Sequence, residues 1–282
     1  WFRMALMVKK ASRTIHARLK IAVDSWVQWP HKLTERPRLE RQLGGASNST
    51  FLVTSGEKAF AIRLNTQQLL PGLNRAAERW ALGQSGLGNI VPSLVYWAPE
   101  FIVSTYQQGE QFDLARHSEL LPKIARQLAQ VHSLPVPEFP ELDPFAHLSD
   151  YLENRQIVRT ELLNLCEASV RENRPTSKVY RLCHNDLNPG NILVTTTGIV
   201  FLDWEYANVT SPAFDIAVFA VTQGLTNQQL ETFLDFYGGT ENIESVKCYR
   251  RLYGLLEILW WRLKTGNQEA MESALAQFLD ER

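Results

Sequence analysis

Between residues 184 and 191 the chain reads His184-Asn185-Asp186-Leu187-Asn188-Pro189-Gly190-Asn191, and Asp203 follows at the far end of a short hairpin. Phosphoryl transfer needs few protein parts. A base takes the proton of the attacking hydroxyl, oxygen ligands hold the metal ions that neutralise the phosphates, and donors keep the nucleotide in line. Asp186 is placed to orient and deprotonate a hydroxyl. Asn191, later on the same loop, can offer its amide oxygen to Mg²⁺, a hard ion that takes oxygen ligands. The hairpin from Ile192 to Leu202 then brings Asp203 back beside Asn191. Asparagine, proline and glycine also make solvated turns unaided. A turn explains the loop, but not a carboxylate returning at the end of a hairpin.

The spacing H-x-D-x-x-x-x-N, with an Asp after the next strand pair, is a phosphotransfer pattern. The sequence resembles the aminoglycoside phosphotransferase and choline kinase superfamily, and within it the bacterial thiamine kinase and choline kinase branch. The likeness rests on His184-Asn185-Asp186, Pro189-Gly190-Asn191-Ile192-Leu193 and Leu202-Asp203-Trp204-Glu205-Tyr206-Ala207, and runs from about Leu39 to Gly266. It implies an α+β, protein-kinase-like bilobal fold, with a small β-rich N-lobe and a larger helical C-lobe. It also implies ATP and Mg²⁺ as cofactors, Asp186 as the base, and Asn191 and Asp203 as metal ligands. Glu205 is a possible further metal contact, or else a salt-bridge partner or a surface residue. His184 and Asp215, the latter in Pro212-Ala213-Phe214-Asp215-Ile216-Ala217, are expected to brace the loop rather than react. A helix-capping or first-turn acid is the other reading of Asp215.

The nucleotide side is less distinctive. Gly44-Gly45-Ala46-Ser47-Asn48-Ser49 lies between two candidate strands, where family members fold a loop over phosphates. Gly45, Ser47 and Asn48 are the candidate contacts, since backbone N–H groups and polar side chains can cradle anions there; an ordinary hairpin is the alternative. Arg63 stands where protein kinases carry a strand lysine. A guanidinium grips phosphate in a planar fork, so the exchange preserves the chemistry without being neutral. Glu78, on the next helix, is its expected ion-pair partner, or else a solvated helix residue. Ser104 and Tyr106 close the strand expected to read the base.

The distance from Asp203 to Asp215 leaves no room for a long activation segment, and no A-P-E motif follows Asp203. Both observations disfavour a protein substrate and favour a small alcohol acceptor. Tyr249, Tyr253, Glu257 and Trp260 recur at helical steps, with Trp261 adjacent. An acid among aromatics can cage a quaternary cation, so Tyr253, Glu257, Trp260 and Trp261 form the candidate acceptor pocket for a cationic alcohol. A buried core stripe is the competing reading. The stretch Trp261-Arg262-Leu263-Lys264-Thr265-Gly266-Asn267 resembles bacterial thiamine kinases, which favours thiamine over choline or ethanolamine. An aminoglycoside- or sugar-type kinase, or a non-catalytic nucleotide-binding pseudokinase, are the alternatives.

These residues must be positioned by two textures of chain. Strands are expected at Leu39–Leu43, Thr50–Thr54, Ala59–Leu64, Leu94–Trp97 and Phe101–Tyr106, with a helix over Leu73–Leu82. Beyond residue 107 helices dominate: Glu119–His132, Ser149–Val170, Ala213–Thr222, Asn227–Tyr237, Ile243–Lys264 and Gln268–Leu279, interrupted by short strands at Ile192–Val194 and Ile199–Leu202. The expected divisions are an N-terminal helical extension over 1–38, a nucleotide-binding lobe over 39–106 and a catalytic, acceptor-binding lobe over 107–282. In the first of these, Ile15, Leu19, Ala22, Val23 and Trp26 keep helical spacing on a basic stretch. They predict an amphipathic helix packed on the domain, with a targeting peptide as the alternative. The chain begins at Trp1; Met4 and Met7 are candidate starts, and the true N-terminus is not written in the sequence. The 29 basic and 30 acidic residues form no dominant basic block, so no nucleic-acid partner is expected. No apolar run reaches a membrane span. Three widely spaced cysteines, Cys166, Cys183 and Cys248, make neither a disulfide framework nor a zinc motif, and a cytoplasmic setting is expected. The oligomeric state is not written in the sequence.

Overall fold

The computed structural model describes residues 14–44, 48–65, 72–135, 138–153, 157–172, 174–175, 179–239, 241 and 243–280. The chain divides into two compact units. One comprises Trp1–Leu69 and Val91–Gln108, the other Leu70–Ile90 and Gly109–Arg282.

The first unit is a five-stranded antiparallel sheet with a helix on it. The strands are β1 (Arg38–Leu43), β2 (Ser49–Ser55), β3 (Lys58–Leu64), β4 (Leu94–Ala98) and β5 (Phe101–Thr105), in the order β1-β2-β3-β5-β4. The period of two turns alternate side chains to one face. Phe51, Val53, Phe60, Ile62, Leu64, Phe101 and Val103 are thereby buried together with Leu19, Ala22, Val23 and Trp29. Leu19, Ala22 and Val23 come from helix α1 (residues 14–24), so the amphipathic stripe seen in the sequence is spent on packing. The β2–β3 hairpin closes with Ser55 opposite Lys58, leaving Gly56 and Glu57 as a two-residue turn. Gly56 has φ 57°, the left-handed conformation that such a turn requires.

The second unit carries α2 (Arg75–Leu82), β6 (Glu110–Gln111), α3 (Leu114–His117), α4 (Leu121–His132), α5 (Pro144–Glu153), α6 (Glu161–Arg171), β7 (Arg181–Cys183), β8 (Ile192–Val194), β9 (Ile199–Phe201), β10 (Asn208–Thr210), α7 (Pro212–Thr222), α8 (Asn227–Tyr237), α9 (Ile243–Thr265) and α10 (Gln268–Asp280). Two small sheets, β7 with β10 and β6-β8-β9, hold the loops that matter. β7 runs into the His184 loop and β8 leaves it; β9 runs into Asp203 and β10 follows. Beneath them α7 is buried from Pro212 through Ala220 and packs on α9, while α4 packs on α8. A helix apolar all round belongs in a core.

The structure divides the expected helix over 149–170. α5 begins earlier, at Pro144, where a helix tolerates proline because the first N–H has no partner to lose. α6 restarts at Glu161, because the Thr160 side chain accepts from the Leu163 N–H and caps a new helix. The strands β6, β7 and β10 were not expected: two or three residues are too few to show a period, and unlike β8 and β9 they pair with distant segments rather than across a tight turn. Among the described residues no helix is long and apolar enough to cross a membrane, and Cys166, Cys183 and Cys248 are all free and buried.

Candidate active site

The His184 loop is fixed from below by one carboxylate. Asp215 lies in the first turn of α7 and is fully buried. Its Oδ2 accepts from the His184 N–H at 2.8 Å and its Oδ1 from the Asn185 N–H at 2.7 Å. His132 Nε2, at the end of α4, lies 3.0 Å from Oδ2, and His132 Nδ1 lies 2.9 Å from the Tyr237 hydroxyl of α8. Burial works to raise the Asp215 pKa. The hydrogen bond and charge of His132, with His184, outweigh it and leave the carboxyl below its ordinary value. With Asp215 charged, these donors also compensate the cost of burying it. Asp215 thus joins the backbone of the His184 loop to α4.

His184 is itself fully buried. Its Nε2 lies 2.7 Å from the Leu202 carbonyl, while Nδ1 accepts from the Asp186 N–H at 3.3 Å. Burial holds its pKa below the ordinary imidazole value. A neutral ring with Nε2–H fits both contacts, and it ties the loop to the strand that delivers Asp203. Trp204 packs on the ring with centroids 4.6 Å apart.

Asp186 then stands between two amides. Asn188 Nδ2 donates to its Oδ1 at 3.0 Å and Asn191 Nδ2 to its Oδ2 at 2.9 Å. Each carboxylate oxygen keeps a second lone pair for an incoming hydroxyl. Burial above all, with the charges of Asp203 and Glu205 adding to it and the two amides opposing, raises the Asp186 pKa to about 7. A base near neutrality suits proton transfer at neutral pH.

Asn191 and Leu202 are joined by a backbone hydrogen bond of 2.7 Å, so Asp203 begins one residue beyond that pair. With Nδ2 of Asn191 given to Asp186, Oδ1 is the end of that amide suited to a cation. Asp203 takes φ 55° and Asn185 φ 65°. The left-handed region is uncommon outside glycine, and Asn and Asp enter it most readily. Both occur where the chain turns sharply into the site. The oxygen donors of Asn191, Asp203 and Glu205 fit a hard divalent ion such as Mg²⁺. Glu205 is 2% exposed, and its Oε2 lies 3.4 Å from Arg75 Nη2. The salt-bridge reading of Glu205 is therefore realised, alongside its place two residues from Asp203.

The other candidates fall as follows. Arg63 sits in β3, opposite Thr50 of β2 and Ile102 of β5, and donates from Nη2 to Asn65 Oδ1 at 3.2 Å. Glu78 is fully buried in the first turn of α2, with Arg75 Nη1 2.7 Å from its Oε2. Asn48 is buried just ahead of β2. Gly45 and Ser47 lie outside the described residues. Ser104 pairs with Ala61 and Leu94 across the sheet. The Tyr106 N–H donates to the Ala59 carbonyl at 3.1 Å, which narrows any base contact there to other atoms of the residue.

On α9, Tyr253 faces the catalytic loop electrostatically. Its phenol pKa is raised by burial first, then by Asp186, Glu257, Tyr151 and Tyr206. Burial likewise raises Glu257. Trp260 and Trp261 meet edge to face at 4.9 Å, and Lys264 Nζ sits over both rings, at 4.5 and 5.1 Å. Their faces therefore already hold a cation of the protein's own. Tyr249, which shares the aromatic spacing, is 5% exposed and packs on Phe145 and Phe214, so that part of the stripe is core. Sequence reasoning missed Asn188, His132, Tyr237, Tyr151, Tyr206 and Arg75. Asn188 had a signal in its two-residue spacing from Asp186, and Tyr206 in its place three residues after Asp203; the others come from distant segments.

The fold of the chain is that of kinase-like small-molecule phosphotransferases. It is similar to a choline/ethanolamine kinase family protein from Mesorhizobium loti, with TM-score 0.70 and 21% identity over 93% of this chain and 94% of that one. It is equally similar to choline kinase LicA from Streptococcus pneumoniae, with TM-score 0.70 and 22% identity over 86% of this chain and 92% of that one. Residues 38–253 match the phosphotransferase enzyme family, and the chain belongs to it. Protein LicA of Haemophilus influenzae is 30% identical over 101 residues, 32% of this chain. The matched stretch spans 38% of that relative's length.

Proposed function

We propose that this chain is a Mg²⁺- and ATP-dependent kinase that phosphorylates the hydroxyl of a small alcohol bearing a cationic nitrogen, of the choline or thiamine kind. The observation that carries the reading is Asp186 held between Asn188 and Asn191, with the chain returning to Asp203 next to the Asn191–Leu202 hydrogen bond. Asp186 accepts the proton of the acceptor hydroxyl as that oxygen bonds to the γ-phosphorus and ADP departs. Asn188 and Asn191 aim the carboxylate. Asn191 and Asp203, with Glu205 near, would hold Mg²⁺, which supplies neutralisation of phosphate charge. The cationic acceptor is suggested by Tyr253, an aromatic influenced by the charges of both Asp186 and Glu257, since an acid among aromatics can cage a cation. Likeness to proteins named choline kinases supports the same class.

The test is ADP release from Mg²⁺-ATP across choline, ethanolamine, thiamine, sugar and aminoglycoside alcohols. Turnover is expected on a cationic alcohol and lost in Asp186→Ala. Turnover confined to aminoglycosides or sugars overturns the acceptor class. Nucleotide binding without turnover on any alcohol overturns the enzyme.

A further inference from the structure

Helix α2 is short, yet its first turn is tied to the segment that follows Asp203 at two points. Asn74 caps the helix, accepting from the Ala77 N–H at 3.1 Å, and its Nδ2 donates to Asn208 Oδ1 at 3.0 Å. Arg75, the first helical residue, spreads its fork over two carboxylates. Nη1 meets Glu78 Oε2 at 2.7 Å and Nη2 meets Glu205 Oε2 at 3.4 Å. Both carboxylates are nearly inaccessible to solvent, with Glu78 at 0% and Glu205 at 2%, while the Arg75 side chain retains 28%. Burying carboxylates is costly without a counter-charge, and the planar guanidinium offers two separated nitrogens in fixed geometry, one to each carboxylate, where a lysine offers a single point charge.

The other end of this linkage is the turn Asp203-Trp204-Glu205-Tyr206. Its backbone is closed by the Ala207 N–H donating to the Trp204 carbonyl at 2.9 Å. Trp204 is 1% exposed, and its indole N–H donates to the Phe201 carbonyl at 2.9 Å. The turn is thus anchored through Trp204, with Asp203 on one side and Glu205 on the other. The direction of the Glu205 carboxylate is then open to control from α2.

We infer that Arg75 is a positioning residue for the metal site: by gripping Glu205 from α2 it sets where that carboxylate, and the Asp203 turn with it, presents oxygen to a divalent ion. Partners one step removed from a metal typically change its affinity by 10–100-fold when altered. The inference rests on the kinase reading, because it assigns metal to the Asp203 turn.

The experiment measures Mn²⁺ binding by electron paramagnetic resonance in the presence of a non-hydrolysable ATP analogue, with activity against Mg²⁺ concentration alongside. Arg75→Lys keeps the charge and loses the planar fork that aims one nitrogen at each carboxylate, and is expected to weaken Mn²⁺ binding roughly tenfold while the melting transition stays cooperative. Arg75→Ala is expected to weaken it further. Should Arg75→Ala not fold, Arg75→Lys decides alone. Asn208→Ala loosens the other tie of α2 without touching a carboxylate, and is expected to bind Mn²⁺ as wild type does. Asp203→Ala is expected to abolish binding. Wild-type affinity in Arg75→Lys, with binding lost in Asp203→Ala, overturns the inference and spares the kinase reading. An equal loss in Asn208→Ala also overturns it, by showing general loosening of α2. Undiminished binding in Asp203→Ala overturns both.

Discussion

The catalytic loop and the far end of α9 are both rich in chemistry-bearing side chains, but they are held in opposite ways. In the loop, His184, Asn185, Asp186, Asn188 and Asn191 are tied by hydrogen bonds to named partners, and the tie beneath them, Asp215, is fully buried. At the end of α9, Trp261 is 49% exposed and the tryptophan pair is attended by Lys264. Preorganisation belongs to the first, where transition-state charge must be met without rearrangement. Adaptability belongs to the second. A substitution in the loop should therefore cost rate or folding, and one at the end of α9 should cost little of either.

Asp186→Ala tests the first half most severely. A positioned base is worth about 10²–10⁴ in rate, so kcat is expected to fall by that order while the KM for ATP changes little. A comparable loss in both would show that the substitution disturbed the metal site rather than removed the base. The measurement is steady-state ADP release.

Asp215→Ala should strike folding as much as rate. It removes the acceptor of two backbone N–H groups and of His132 in a site without solvent, and breaking a buried pair costs about 3–5 kcal/mol. Urea denaturation of the wild type and the variant measures the difference. The pH dependence has a definite sign. The Asp215 pKa is depressed in the folded chain, so its contribution is complete above the unfolded carboxyl value and is lost as pH falls through the folded one. Asp215→Asn should flatten that part of the acid-unfolding curve. An unchanged curve would mean that other carboxylates govern acid unfolding.

How much of this was legible in the sequence follows from distance along the chain. Asp186, Asn191 and Asp203 could be read because a loop and a hairpin keep them in fixed local register. The β2–β3 hairpin, the amphipathic stripe of α1 and the helices α7 to α10 were readable for the same reason, since period and turn chemistry are local. The brace was half legible. Asp215 was visible at a helix start, but His132 lies 83 residues from it and Tyr237 lies 105 from His132, and no local pattern joins them. Arg75 was overlooked because a first-turn arginine three residues before a glutamate reads as a surface pair; only the return of Glu205 from residue 205 turns it into a buried junction. The aromatic spacing on α9 was correct as a pattern, yet it could not say which rings are core. Tyr249 is core while Trp261 is exposed because the two lie on different faces of the helix, with Leu255 and Leu259 keeping the inner face buried nearly to its end.

The acceptor side sharpens the comparison at smaller scale. Tyr253 lies within the electrostatic field of Asp186, whereas Trp260 and Trp261 face Lys264. Tyr253→Ala should raise the KM for a cationic alcohol by roughly tenfold, in keeping with a desolvated cation–π contact of about 2 kcal/mol or less, and leave the KM for ATP nearly unchanged. Trp260→Ala should do the same to a smaller extent. Equal increases for both substrates would return these rings to a purely structural role.

The smallest effect is expected from Lys264. An ammonium over exposed rings contributes about 0.5–1 kcal/mol, so Lys264→Ala should lower stability by no more than that. Its value lies in what it does to KM. If the tryptophan faces belong to the acceptor site, Lys264 competes for them, and removing it should lower the KM for a cationic alcohol while a neutral alcohol is unaffected. If the faces lie outside that site, both values should stay as they were, and Trp261→Ala should be equally silent. The second pattern is the one expected for Trp261, because its exposure leaves the cation's water in place and a hydrated cation gains little from a ring. Trp260, less exposed and one step nearer Tyr253 on the helix, is where the two patterns should diverge.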